Sequence, residues 1–154
     1  GGLQRNFQGY STRRQCDLVG LGVSSIGKVS DCYAQNIKDI PTWQKTVEAG
    51  ELPIWRGVHL NTEDRLRRRV IETIMCYGEL NFEPFESDYA IDFHDHFAVE
   101  LVNLEPMEAD GLLEMSGNAF TVTPRGRLLL RNIAMVFDEY LQAPESQPRF
   151  SRVI

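Results

Sequence analysis

The feature that most constrains the fold is an amphipathic helix signature between Asn61 and Gly78. Asn61 and Thr62 are residue types that cap helix N-termini, and the acidic pair Glu63 and Asp64 follows in the first turn. Apolar residues then recur at helical spacing: Leu66, Val70, Ile71, Ile74 and Met75. The pattern predicts one long helix that ends at Gly78 and buries a single face.

The chain after this helix carries the signals of a small mixed domain. The sequence predicts helices over 83–91 and 92–109, the second kinked near Pro106, a β-hairpin over 112–122, a helix from Thr123 to about Gln142 and an extended tail over 149–154. Helix, short helix, helix, hairpin, helix is the order of a winged-helix-like module. We therefore predict a mainly α domain with a small β-hairpin over 59–154.

The residues before this domain have a different character. The apolar run over 18–23 (LVGLGV) has the length and composition of a strand buried on both faces, as in a parallel sheet. A short helix is predicted over 39–49, with Pro41 in its first turn and Gly50 as its stop. An extended connection over 52–60 follows. We expect a first, incomplete domain over 1–58.

Size and charge narrow the class of protein. At 154 residues and 17.6 kDa the chain has room for one ordinary domain plus part of another. Its 16 basic and 22 acidic residues give a net charge of −6, so general attraction to nucleic acid or to an anionic membrane is not expected. With no membrane-spanning apolar run and no secretory pattern, a cytoplasmic protein is expected.

The spacing of the cysteines and histidines does not indicate a metal site or a catalytic nucleophile. The cysteines Cys16, Cys32 and Cys76 are widely spaced, which favours reduced thiols over a disulfide, zinc or iron–sulfur framework. His94 and His96 lie two residues apart in a predicted helix, so their side chains diverge and cannot readily share one ion. No arrangement typical of an activated serine or cysteine nucleophile is visible.

Two patterns could bind a ligand, and each has a simpler interpretation. Gly20-x-Gly22 follows the apolar run, where glycines let the backbone approach a ligand, but spacing alone favours a tight turn without one. The predicted helices are also rich in arginine, at positions 65, 67, 68, 69, 125, 127 and 131. Guanidinium groups could bind carboxylate or phosphate, yet a solvated, partly ion-paired face is the favoured interpretation, with Glu63, Asp64 and Glu72 as available partners.

Several segments together carry a resemblance to a known family. They are 5–12 (RNFQGYST), 17–26 (DLVGLGVSSI), 31–36 (DCYAQN), 55–57 (WRG), 123–133 (TPRGRLLLRNI) and 150–154 (FSRVI). In this order they resemble the later part of the oxygen-independent coproporphyrinogen III oxidases, which are radical S-adenosylmethionine enzymes of haem biosynthesis. The resemblance extends from near Leu3 to the last residue.

The resemblance implies a function for a longer protein. The family oxidatively decarboxylates two propionates of coproporphyrinogen III, using S-adenosylmethionine and a 4Fe-4S cluster held by CxxxCxxC. That motif is not in this chain. By the resemblance, residues 1–58 end a partial (β/α) TIM-type barrel, and residues 59–154 form a helical domain that closes the substrate cavity. Ile26 matches a family residue that touches S-adenosylmethionine, and Gly22 lies beside it.

The resemblance also sets expectations for the isolated chain. We expect it to be catalytically inactive, to bind no cofactor and to be monomeric, with the N-terminal barrel as its partner. The competing hypothesis is a free-standing winged-helix module that binds DNA or a protein, as the element order and arginine-rich helices suggest. Against DNA binding stand the net charge and a predicted hairpin without Lys or Arg between Leu112 and Val122.

Overall fold

The computed structural model describes residues 3–6, 9–12 and 16–142, and the chain divides into two compact units after Leu66. The elements up to the boundary helix are β1 (Gln4–Asn6), β2 (Gly9–Ser11), β3 (Ile26–Val29), β4 (Cys32–Asn36), α1 (Ile40–Glu48), β5 (Ile54–His59) and α2 (Thr62–Tyr77). The later ones are β6 (Glu79–Asn81), α3 (Glu83–Tyr89), α4 (Phe93–His96), α5 (Ala98–Ala109), β7 (Leu113–Ser116), β8 (Ala119–Val122), a 3-10 turn (Gly126–Leu129), α6 (Leu130–Met135) and α7 (Glu139–Gln142).

The first unit contains an antiparallel sheet in the order β3-β4-β5 beside a separate β1-β2 hairpin. The strand predicted over 18–23 is therefore wrong: these residues form a loop, in which Val19 is 68% and Leu21 is 86% exposed. Among these described residues, only Leu18 pairs with a strand, through a single bridge to Lys28 of β3, whereas the carbonyl groups of Gly20 and Gly22 accept hydrogen bonds from the Asn36 side chain. The segment predicted as an extended connection over 52–60 contains β5, which pairs with β4.

Helix α1 begins and ends as its sequence predicts. The Asp39 carboxylate caps the N-terminus by accepting from the Thr42 amide at 2.9 Å, and Pro41 occupies the first turn. Gly50 has a φ of 76°, the left-handed conformation that glycine adopts without strain. The predicted short helix is confirmed.

Helix α2 is confirmed as well, and its cap is reciprocal. The Asn61 side chain accepts from the Asp64 amide at 2.8 Å, while the Asp64 carboxylate accepts from the Asn61 amide at 2.9 Å. Leu66, Val70 and Ile74 on the predicted face are buried. The helix ends at Tyr77, directly before Gly78.

The second unit packs its helices with a three-stranded antiparallel sheet in the order β6-β8-β7. The predicted hairpin is β7-β8, and β6, a strand that was not predicted, pairs with β8. The core of this unit is rich in phenylalanine: Phe82, Phe93, Phe97, Phe120 and Phe137 are all buried. Phe82 and Phe93 stack with ring centroids 4.1 Å apart.

Two predicted helices differ in the structure. The helix over 92–109 breaks at Phe97, not at Pro106, because Phe97 adopts a non-helical backbone (φ −108°, ψ 28°) with its ring buried, whereas Pro106 lies inside α5. The final helix is divided into a 3-10 turn, α6 and α7. Thr123 still caps its beginning by accepting from the Gly126 amide at 3.0 Å. The predicted tail over 149–154 lies outside the described residues.

Candidate functional site

The segment with the two predicted ligand residues is an irregular loop, which we call the glycine loop (residues 17–27). Its two sides are joined by a pair of backbone hydrogen bonds between Leu18 and Lys28, both 2.7 Å long. The Asp17 carboxylate also accepts from the Ser30 amide at 2.8 Å. The start of the loop is thereby anchored at the C-terminal end of β3.

The side-chain amide of Asn36 organises the middle of the glycine loop. Its nitrogen donates to the Gly22 carbonyl at 2.9 Å, to the Ser25 hydroxyl at 3.0 Å and, more weakly, to the Gly20 carbonyl at 3.3 Å. The Ser25 hydroxyl itself donates to the Gly22 carbonyl at 2.8 Å. One amide at the end of β4 therefore satisfies carbonyl groups that a sheet would otherwise satisfy.

The two glycines of Gly20-x-Gly22 have different physical roles. A Cβ at Gly20 would lie 2.9 Å from the carbonyl carbon of Ile26 and 3.1 Å from the amide nitrogen of Gly27, so Gly20 is required for close packing. Gly22 has a φ of 94°, and a Cβ there would meet nothing within 4 Å. Gly22 thus combines a left-handed backbone with open space beside it, which a ligand can use.

Ile26, the second predicted cofactor residue, begins β3 with its side chain half-buried. It pairs with Gln35 of β4, and Gln35 pairs with Arg56 of β5. Because directly opposed residues of antiparallel strands project from the same face, these three side chains form a row across the sheet. The Gln35 amide donates to the Ser24 carbonyl at 3.2 Å and accepts from Arg56 Nε at 3.0 Å.

The structure therefore places Gly22 and Ile26 in one small region, and adds residues that sequence reasoning did not assign. Asn36, Gln35 and Arg56 stood out only as parts of resembling segments. Two sequence patterns mark them: Gln35 and Asn36 are polar residues at the end of a strand, and Arg56 is an isolated arginine next to a tryptophan. Neither pattern shows which residues these side chains contact until the register of β3, β4 and β5 is known.

The arginines of α2 are all engaged with carboxylates. Arg65 pairs with Asp31 at 2.8 Å and Arg68 with Glu72 at 2.8 Å, while Arg69 reaches Asp88 and Arg67 reaches Glu100, both at 2.6 Å. The ion-paired part of the prediction is confirmed for α2, with Glu72 among the predicted partners, but the solvated part is wrong for Arg67, whose side chain is 15% exposed and whose partner Glu100 is buried. The Asp64 carboxylate also caps the helix.

Metal ligation has no support among residues 3–6, 9–12 and 16–142, which contain no group of three or more His, Cys, Asp or Glu side chains placed to hold an ion. All three cysteines are free thiols, and Cys16 and Cys32 are exposed. His94 and His96 instead contact the edges of Phe82 and Phe97. A 4Fe-4S cluster therefore has no fitting ligand set in this part of the chain. No helix in the described ranges is long and apolar enough to cross a membrane.

Comparison with known proteins decides between the two hypotheses. Residues 60–129 match the family model described as the HemN C-terminal domain. Over all 154 residues the chain is 49% identical to the oxygen-independent coproporphyrinogen III oxidase of Pseudomonas aeruginosa, covering 33% of that protein. The chain matches the C-terminal part of oxygen-independent coproporphyrinogen III oxidase. The relative of that name from Synechocystis is 46% identical, and the chain covers 34% of it.

A solved structure of a coproporphyrinogen III oxidase has the same fold in this region. The structure entitled "Coproporphyrinogen III oxidase (HemN) from Escherichia coli is a Radical SAM enzyme" superimposes with a TM-score of 0.86 at 43% identity, over 90% of this chain and 32% of that one. The predicted resemblance is confirmed, and the free-standing winged-helix alternative is not supported. The chain spans about one third of the length of the oxidases from P. aeruginosa and Synechocystis.

Proposed function

We propose that this chain is the C-terminal part of an oxygen-independent coproporphyrinogen III oxidase, which converts two propionates of coproporphyrinogen III to vinyl groups and yields protoporphyrinogen IX. The observation that carries the proposal is 49% identity along the entire chain to an enzyme of that name. We extend the proposal to coproporphyrinogen III as the substrate of the full-length enzyme, to an N-terminal barrel as the partner of this chain and to a cytoplasmic location. We expect the isolated chain to be monomeric and inactive.

The glycine loop is the proposed contact with S-adenosylmethionine. Gly22 offers open space beside a left-handed backbone, and Ile26 offers a half-buried apolar side chain three residues after the loop's turn at Val23. These features fit a flat apolar group that lies against backbone. S-adenosylmethionine and a 4Fe-4S cluster together supply one-electron chemistry when bound. The residues of this chain would bind and orient S-adenosylmethionine.

The two-domain division is also part of the proposal. We assign residues 1–58 to the end of a (β/α) barrel and residues 59–154 to a winged-helix-like domain that closes the substrate cavity. The order α2, β6, α3, α4, α5, β7, β8 supports the second assignment. The family match over 60–129 begins close to the proposed boundary.

A matched pair of variants tests the role of the loop. In the full-length enzyme, replacing Ile26 by alanine removes apolar contact with the cofactor, while Ile40→Ala removes an exposed isoleucine from α1. We expect Ile26→Ala to weaken S-adenosylmethionine binding by about tenfold, in line with the loss of a buried apolar contact, and Ile40→Ala to leave it unchanged. Equal affinity in both variants would contradict the proposed contact.

Two further measurements address the activity itself. Anaerobic incubation of the full-length enzyme with coproporphyrinogen III should give protoporphyrinogen IX, and failure of the loaded enzyme to do so would overturn the proposed function. The isolated chain, reconstituted with iron and sulfide, should show no stable 4Fe-4S absorption. A stable cluster spectrum there would contradict our assignment of the cluster ligands to residues outside it.

A further inference from the structure

This inference deepens the proposed function and rests on it. It begins with the row formed by Ile26, Gln35 and Arg56 on one face of the β3-β4-β5 sheet. Neighbouring strands are about 5 Å apart, so the row spans roughly 10 Å from an apolar side chain to a guanidinium. Gln35 connects its two ends, since its amide contacts both Arg56 and the Ser24 carbonyl of the glycine loop.

Arg56 differs from the arginines of α2 in what surrounds it. Each α2 arginine pairs with a carboxylate, whereas Arg56 has no carboxylate partner among the described residues and is exposed. Its guanidinium instead lies 4.6 Å from the centroid of the Trp55 ring, and Lys38 Nζ lies 4.7 Å from the same centroid. Two cations thus share one aromatic ring with no anion between them in the described part of the chain.

The geometry also orients the Arg56 guanidinium before any ligand arrives. Its Nε donates to Gln35 and its Cζ lies 4.6 Å from the centroid of the Trp55 ring, so these two contacts restrict the rotation of the side chain. Among the residues that the structure describes, none accepts a hydrogen bond from the terminal nitrogens, and their fork matches the two oxygens of a carboxylate. Lys38 adds a second positive charge without competing for that planar geometry.

We propose that Arg56 binds a carboxylate of the ligand that lies along this row, with Lys38 as electrostatic support and Gln35 as a positioning residue. Two ligands of the proposed reaction carry a carboxylate and a flat or apolar body of suitable length. One is S-adenosylmethionine, through its amino-acid group, and the other is coproporphyrinogen III, through a propionate. The recognition chemistry is the same for both.

The test uses the full-length enzyme and three substitutions. Arg56→Met removes the charge, Arg56→Lys keeps the charge but removes the fork, and Lys45→Met removes one exposed charge from α1 as the matched control. Binding of S-adenosylmethionine and of its decarboxylated analogue is measured by equilibrium dialysis. Affinity for coproporphyrinogen III is measured as KM under anaerobic conditions.

We expect Arg56→Met to weaken binding of one of the two ligands by about tenfold or more and Arg56→Lys to recover part of the loss, with Lys45→Met unchanged. If Arg56→Met weakens binding of S-adenosylmethionine and no longer prefers it to the decarboxylated analogue, the carboxylate belongs to the cofactor. If only the affinity for coproporphyrinogen III falls, the carboxylate is a propionate of the substrate.

Two results would overturn the inference. Unchanged affinity for both ligands in Arg56→Met would show that the guanidinium binds neither carboxylate. Equal losses for both would indicate a general disturbance of the sheet. If Arg56→Met does not fold, Arg56→Lys and Gln35→Ala provide the same comparison, since both disturb the fork and leave the charge. A wild-type enzyme that binds neither ligand would reject the proposed function itself.

Discussion

The Asn36 side-chain amide donates to the Gly22 carbonyl at 2.9 Å and thereby ties the end of β4 to the centre of the glycine loop. The same amide also contacts the Ser25 hydroxyl and the Gly20 carbonyl. This side chain therefore contacts three groups of the loop, and its loss would remove a hydrogen bond from each, although the Gly22 carbonyl would still accept from the Ser25 hydroxyl.

Removing this amide should loosen the loop. We expect Asn36→Ala to lower the free energy of unfolding by about 1–3 kcal/mol and to accelerate amide exchange over residues 20–25. Asn36→Asp should be worse, because it directs carboxylate oxygens at the carbonyl groups. Gln44→Ala, which removes a single exposed contact with Glu48, is the control. Unchanged exchange in Asn36→Ala would show that the loop holds its conformation without the amide.

The two glycines of the loop should respond differently to alanine. Gly20→Ala places a methyl group against the backbone of Ile26 and Gly27, so we expect a loss of about 1–3 kcal/mol in unfolding free energy. Gly22→Ala meets open space and strains only the backbone, by about 1–2 kcal/mol. Its larger effect should be on S-adenosylmethionine affinity. Denaturant unfolding and ligand titration of both variants separate packing from binding.

The buried ion pair of the second unit predicts a rescue. Glu100 is 6% exposed and pairs with Arg67, so Arg67→Met should leave a buried charge unpaired and cost about 3–5 kcal/mol. The double variant Arg67→Met with Glu100→Leu should recover most of that loss. Arg68→Met, which breaks an i,i+4 pair with Glu72, should cost under about 1 kcal/mol. Equal losses in the two arginine variants, measured by denaturant unfolding, would refute this difference.

The cap of α1 predicts a stability change in acid. Hydrogen bonds from the Thr42 hydroxyl and then its amide hold the pKa of Asp39 below its ordinary value. A lowered folded-state pKa gives stability that is present above the unfolded-state value and is lost as the pH falls through the folded-state value. We therefore expect α1 to fray in strong acid. Asp39→Asn, an uncharged cap, should remove this titration in an NMR experiment while keeping the helix at neutral pH.

Local signals predicted much of the fold. Helix α1 is predicted by Pro41 in its first turn and the glycine stop after it, and α2 by its cap, its apolar face and Gly78, all of which are local signals. The β7-β8 hairpin was visible because both strands and the turn are adjacent in sequence. The break at Phe97 was not, because it depends on a phenylalanine core assembled from distant elements.

The site was less accessible to sequence reasoning for the same reason. Ile26 is identified only by the family resemblance, Gly22 by the Gly-x-Gly spacing as well, and the apolar run over 18–23 predicts a strand that the structure does not contain. What replaces the expected strand pairing is a side chain, Asn36, that lies 14 residues from Gly22. Likewise, Arg56 approaches Gln35 from 21 residues away, and that contact requires the register of two strand pairs.

The contacts of Arg67 also impose an order on biosynthesis. Its guanidinium donates to Glu100, 33 residues later, and to the Phe137 carbonyl, 70 residues later, at 3.2 Å. The ribosome therefore synthesises Arg67 well before Glu100 and Phe137. When Glu100 becomes buried in the core, the arginine that neutralises its charge is already part of the chain. The contact with Phe137 can form only after residue 137 has been synthesised, which is later than the synthesis of Glu100. Folding of this unit is thus completed only when nearly the whole described chain has been made.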